Sequence, residues 1–155
     1  MKTLIGLLAL IAVAGSGWAQ CRNLEIKDDT KGGARLRMIE EEPNAAQKLP
    51  LLEQFASQYP QHEDLGWVYE QMLDAYLKAG NGAKALETGE KLAAIPPECV
   101  EDAQPTLKAA ELKKDPAAVL KWSAKTSELA RKLVASPQPA DASEVDTWKA
   151  RVDYA

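Results

Sequence analysis

The chain is expected to be all-α, built from antiparallel helical hairpins. Three observations predict this. Apolar residues recur at three- and four-residue intervals over most of the length, the spacing that places them on one face of a helix. Glycine, asparagine and proline fall between those stretches at positions that close or open helices. Aromatics make up only 6% of the residues while alanine is abundant, which favours close helix packing over a sheet core, and no useful run of strand-like alternation is present. A length of 155 residues with 46% hydrophobic and 27% charged residues suits one soluble domain.

The first element, residues 1–19, reads as a signal peptide. Lys2 gives the positive start, Leu4 to Ala14 is apolar apart from Gly6, and Gly17-Trp18-Ala19 supplies the small residues a signal peptidase needs, with cleavage before Gln20. The apolar run is too short to cross a bilayer, which takes about 20 residues. Gln20 stands where a lipobox has a small residue, so a lipid on Cys21 is disfavoured. An exported chain, periplasmic or secreted and without membrane insertion after cleavage, is expected.

Residues 20–33 hold Leu24 and Ile26 among charges and end in Lys31-Gly32-Gly33, the composition of a flexible or extended arm. Ala34 to Glu42 is a short helix closed by Pro43. Asn44 is a good N-cap for the next helix, along which Ala45, Leu49, Leu52, Ala56 and Tyr59 recur until Tyr59-Pro60 stops it. Pro50 either kinks this helix or marks its first turn.

Residues 66–99 form the clearest unit, a 34-residue hairpin, GWVYEQMLDAYLKAGNGAKALETGEKLAAIPPEC. Gly80-Asn81-Gly82 is its turn, and no Lys-Ser/Thr follows to make it a phosphate loop. A third hairpin follows. Val100 to Lys114 is its first helix, with Pro105 either in the first turn or kinking it. Asp115 caps and Pro116 opens the second helix, which runs to about Ala135 with Val119, Trp122, Leu129 and Leu133 on one face. Residues 136–142 are a Pro-rich loop. Residues 143–155 are a terminal helix with Trp148 and Val152 on its apolar stripe; it either begins an incomplete repeat or folds back on the third hairpin.

In residues 66–99, Tyr76 at the first helix, Ala85 at the second and Pro97 at the stop stand at the intervals of a tetratricopeptide repeat, which this hairpin resembles. Tyr69 and Met72 are like-for-like with that pattern, whereas Leu73 stands for its Gly and Gly89 for its second aromatic. Residues 46–60 resemble the second helix of such a hairpin in bacterial envelope proteins. The resemblance implies a tetratricopeptide-like α-solenoid over residues 34–135, in which the first helices of successive hairpins line a groove for a peptide. On that basis Trp67, Glu70, Asp74, Leu77 and Lys78, then Gln104, Lys108 and Glu111, face the groove. Glu70 and Asp74 are acidic where carboxylate-clamping families carry Lys and Asn, which implies a neutral or basic peptide.

Charge and site chemistry exclude most other classes. The net charge is −4, and loss of Lys2 with the leader makes the mature chain more acidic, so neither nucleic acid nor an anionic membrane is an expected partner. Lys121 to Lys132 is locally basic, as a solvated helix face is. The one histidine, His62, falls in a loop between hairpins and reads as solvent-exposed. It has no second histidine for a zinc set and no nucleophile elbow near it. No enzyme activity, cofactor or metal is expected. Cys21 and Cys99 are the only cysteines, and an oxidising compartment permits a bridge between them; the alternative is a mobile Cys21 and a half-buried Cys99. The expected function is a non-catalytic scaffold of the bacterial cell envelope that binds a protein or peptide partner; the alternative is a structural spacer or self-association segment of a larger repeat protein.

Overall fold

The computed structural model describes residues 22, 24, 26, 27 and 29–154. The leader, Gln20 and Cys21 lie outside the described residues. Those described form seven helices and no strand: α1 Lys31–Glu40, α2 Ala45–Gln58, α3 Leu65–Lys78, α4 Gly82–Leu92, α5 Val100–Lys113, α6 Pro116–Val134 and α7 Ala142–Tyr154. The all-α expectation holds. None of these helices is long and apolar enough to cross a membrane.

Each helix packs on the next in sequence, and α3 also packs on α5. The core collects one face from each of the first six helices: Leu36 and Ile39, Leu52 and Phe55, Val68 and Leu73, Ala85 and Leu92, Ala109 and Ala110, and Trp122 and Leu129. Tyr76 and Ala85, the expected partners of the central hairpin, are both buried where α3 and α4 pack together.

Two turns explain why the hairpins close where they do. At the end of α3, Gly80 takes φ +70, its N–H bonds the Leu77 carbonyl (3.0 Å), and the Asn81 N–H bonds the Tyr76 carbonyl (2.9 Å). This Schellman arrangement satisfies carbonyls that a helix end leaves without partners. Asn81 then opens α4, its side chain accepting from the Lys84 N–H (3.1 Å). The same bonds recur 34 residues on: Lys114 takes φ 58, its N–H bonds Glu111, the Asp115 N–H bonds Ala110, and Asp115 accepts from the Ala118 N–H (3.1 Å). Asn44 caps α2 by accepting from the Ala46 N–H (3.0 Å), as its sequence position suggested.

The start of α1 differs from the sequence reading, and the structure settles where Pro50, Pro105 and Gly89 fall. Lys31, Gly32 and Gly33 are the first turn of α1, capped by Thr30, whose hydroxyl accepts from the Gly33 N–H (2.9 Å). The two glycines are there for space: a Cβ on Gly32 would stand 2.6 Å from the His62 ring, and one on Gly33 would run into the Lys27 carbonyl. Pro50 and Pro105 both lie inside helices, six residues into α2 and α5. Each removes one backbone bond in the helix, and at Pro50 the residue it would have bonded, Ala46, is exposed to water that can take the carbonyl. Gly89, where the repeat pattern has an aromatic, is buried against Thr106 of α5, with room for no side chain at all.

The terminal helix folds back. α7 packs on α6, the Trp148 indole N–H donates to Ser136 Oγ (3.0 Å), and Arg151 pairs with Glu101 at the start of α5.

Candidate functional site: an arginine seat between two helices

Arg22 is the residue on which the α3/α5 junction converges. Its guanidinium bonds Glu70 of α3 (3.0 Å) and Asp102 of α5, and donates to the backbone carbonyls of Ile95 and Pro97 in the α4–α5 loop (2.7 Å each). The Arg22 side chain is only 8% exposed. Its stem crosses α3 at Gly66, where a Cβ would stand 2.7 Å from Arg22 Cδ. Glycine at that position lets the arginine reach both carboxylates.

The elements that build the seat are local consequences of the sequence. Glu70 lies one turn after Gly66 on α3, so the arginine that crosses the one meets the other. Asp102 falls in the first turn of α5, where an acidic side chain suits the positive end of the helix dipole. Past Arg22, Leu24 and Ile26 pack against the core and Lys27 pairs with Glu63 (2.8 Å). The Thr30 hydroxyl donates to the Lys27 carbonyl (3.0 Å) and caps α1.

Two acids share one cation here, and burial makes that costly. The Glu70 carboxyl is raised to about 7, first by loss of hydration and then by the neighbouring Asp102, against the opposing pull of Arg22. Asp102 is raised as well, again mainly by burial. Glu70 Oε2 is buried with no donor facing it. A proton there lets it donate to Asp102 and leaves the triad neutral, the usual outcome when like charges are forced together out of water.

The residues expected to face a groove divide into two sets. Trp67 is buried at 7% exposure, with Lys48 Nζ 5.8 Å from its ring. Glu70 is held by Arg22 and is not part of an open acidic floor, so its expected exposure is corrected: its charge is met from within the chain. Asp74 pairs with Lys78 (2.6 Å) on the more open part of α3, and Leu77 packs against the core. Gln104, Lys108 and Glu111 are exposed on α5. The expected exposed His62 is also corrected: its side chain is 14% exposed, it stacks edge-on to Phe55 (5.1 Å), and Nδ1 accepts from the Asp64 N–H (3.3 Å). Cys99 is disulfide-bonded, while Cys21, the partner expected for it, lies outside the described residues.

A second concavity, about 350 Å³, lies between α2, α3 and α4. Tyr69, Met72 and Tyr76 line it, with Glu53, Lys84, Glu87 and Lys91 among the charged residues around them. Those charges are internally matched, Lys84 with Glu53 (3.3 Å) and Lys91 with Glu87 (2.7 Å), and the Tyr76 hydroxyl donates to Glu53, which lowers that carboxyl. Among the described residues no three metal-ligating side chains converge.

Arg22 escaped the sequence reading because nothing local marks it. The only trace is its place ahead of Leu24 and Ile26 at two-residue spacing. No protein-family model matches the chain, and neither does any curated protein or solved structure.

Proposed function

We propose that the chain is a non-catalytic protein–protein interaction scaffold of the bacterial cell envelope, a short tetratricopeptide-like array that holds an extended peptide along its first helices. The observation that carries the reading is Arg22: α3 and α5 jointly hold, through two buried carboxylates, a side chain that comes from outside their own hairpins. The capped turns spaced 34 residues apart and the packing of α3 on α5 support stacked hairpins with α3 and α5 as equivalent first helices. From the seat, the open surface continues over Asp74 and Lys78 on α3 and over Gln104, Lys108 and Glu111 on α5. The leader-like N-terminus supports export, and a bridge from Cys99 to Cys21 would fix the start of the arm beside α5.

Site-specific photo-crosslinkers test this. Placed at Lys78 and Lys108, they should capture a discrete envelope protein, while the same group at Lys91 and Lys132, on α4 and α6, should not. Equal labelling from all four positions, or none, would favour the spacer reading.

A further inference from the structure

The geometry points to an arginine-specific docking seat, formed by Glu70, Asp102 and the carbonyls of Ile95 and Pro97, that the chain fills with its own Arg22 and that a partner fills with an arginine in an extended segment. This rests on the scaffold reading above and names the chemistry of the partner.

Several features mark the site as built for a guanidinium. It offers acceptors from three separate elements, two carboxylates and two carbonyls, to one planar donor group. An ammonium is a compact point charge and cannot span four acceptors spread over two helices and a loop. Gly66 keeps the approach open, since any side chain there would occupy the path of the arginine stem. None of the four acceptors lies on the arm, so the seat belongs to the helical framework. Leu24 and Ile26, two and four residues after Arg22, extend the recognition pattern to arginine followed by alternating apolar residues.

The arm also explains how the seat is kept closed. A tethered segment acts at an effective concentration on the order of millimolar, so a free segment of equal affinity cannot displace it at micromolar levels. A partner gains entry when its own contacts beyond the seat exceed this advantage, or when the arm loosens.

The test uses the full mature chain and a fluorescent, N-acetylated peptide of residues 22–29, with a second peptide in which alanine replaces the arginine. Arg22→Gly should bind the arginine peptide at least tenfold more tightly than wild type does, by fluorescence anisotropy. It should bind the alanine peptide at least tenfold more weakly than the arginine peptide. Ethylguanidinium should compete and ethylammonium should not. If Arg22→Gly retains the wild-type helical circular dichroism yet binds both peptides equally or neither, the proposal is overturned. Should that variant not fold, Arg22→Lys serves instead: its ammonium keeps a cation beside Glu70 and Asp102 but cannot span the four acceptors, so the seat is left open to a guanidinium. The same tenfold preference for the arginine peptide is then required, and its absence overturns the proposal. Partner capture at Lys78 and Lys108 that persists alongside such a failure would leave the scaffold standing and remove only the arginine chemistry.

Discussion

Gly89→Ala separates helix propensity from helix contact, because the two predict opposite signs. Gly89 lies in the interior of α4, where alanine in place of glycine favours the helix by about 1 kcal/mol. The new Cβ, however, would stand 2.6 Å from Thr106 Cγ2 and 2.8 Å from Thr106 Cβ on α5, and closer still to Oγ1. Thr106 is fully buried, and its hydroxyl donates to the Asp102 carbonyl (2.7 Å), so it has no open rotamer to retreat into. Relief requires α4 and α5 to part by a substantial fraction of an ångström, and overpacking of that kind costs about 1–3 kcal/mol; the upper end applies to a contact this close. The net is a loss of about 2 kcal/mol, which for a domain of this size lowers Tm by roughly 6 °C. Thermal melts followed by far-UV circular dichroism read it directly. Thr106→Ala removes the two closest atoms, so Gly89→Ala should cost less in that background. A Tm that rises on Gly89→Ala would refute the close approach of α4 and α5.

The remaining predictions concern charge and backbone. Arg22→Ala leaves Glu70 and Asp102 buried without their cation and should cost about 3 kcal/mol near pH 7, measured by urea unfolding. The Glu70 carboxyl is raised in the folded chain to about 7 from 4.5, with Arg22, Asp102 and, through Asp102, Glu101 as its charged surroundings. The folded state therefore holds this proton more tightly than the unfolded state, so its contribution is full below pH 4.5 and is lost as the pH rises through 7. Urea midpoints should fall between pH 5 and 8, and Glu70→Gln should flatten that slope; an unchanged slope would assign the titration elsewhere. Lys114→Gly should raise stability by about 1 kcal/mol, since Lys114 holds the left-handed φ of 58 that glycine adopts without penalty. A lower melting temperature would contradict it.

How much of this was legible in the sequence follows from the range of each interaction. The α3–α4 hairpin, the Asp115-Pro116 opening of α6 and the Asn44 cap were readable because their signals sit within four residues of what they act on. Gly32-Gly33 looked like a flexible joint because the reason for two glycines, the His62 ring and the Lys27 carbonyl, comes from other segments. His62 looked exposed because its loop is polar, yet Phe55 and Tyr59 on the preceding helix wrap it. Helical spacing made the exposed positions Lys78, Gln104, Lys108 and Glu111 legible. It failed at Glu70, whose partner lies 48 residues away, and Asp102 went unnoticed with its partner 80 residues away. No periodicity encodes a contact of that span.

The central claim is that Arg22 is seated between α3 and α5. Nitrogen-15 NMR of the arginine side chains in the folded wild-type chain tests it most directly. A guanidinium held by two carboxylates and two carbonyls cannot rotate freely or exchange quickly with water, so Arg22 should give resolved Nη–H signals at room temperature that vanish in Arg22→Lys and lose their separation in Asp102→Asn. A single averaged Nη–H signal for Arg22, like that of an arginine in free solution, would contradict the account.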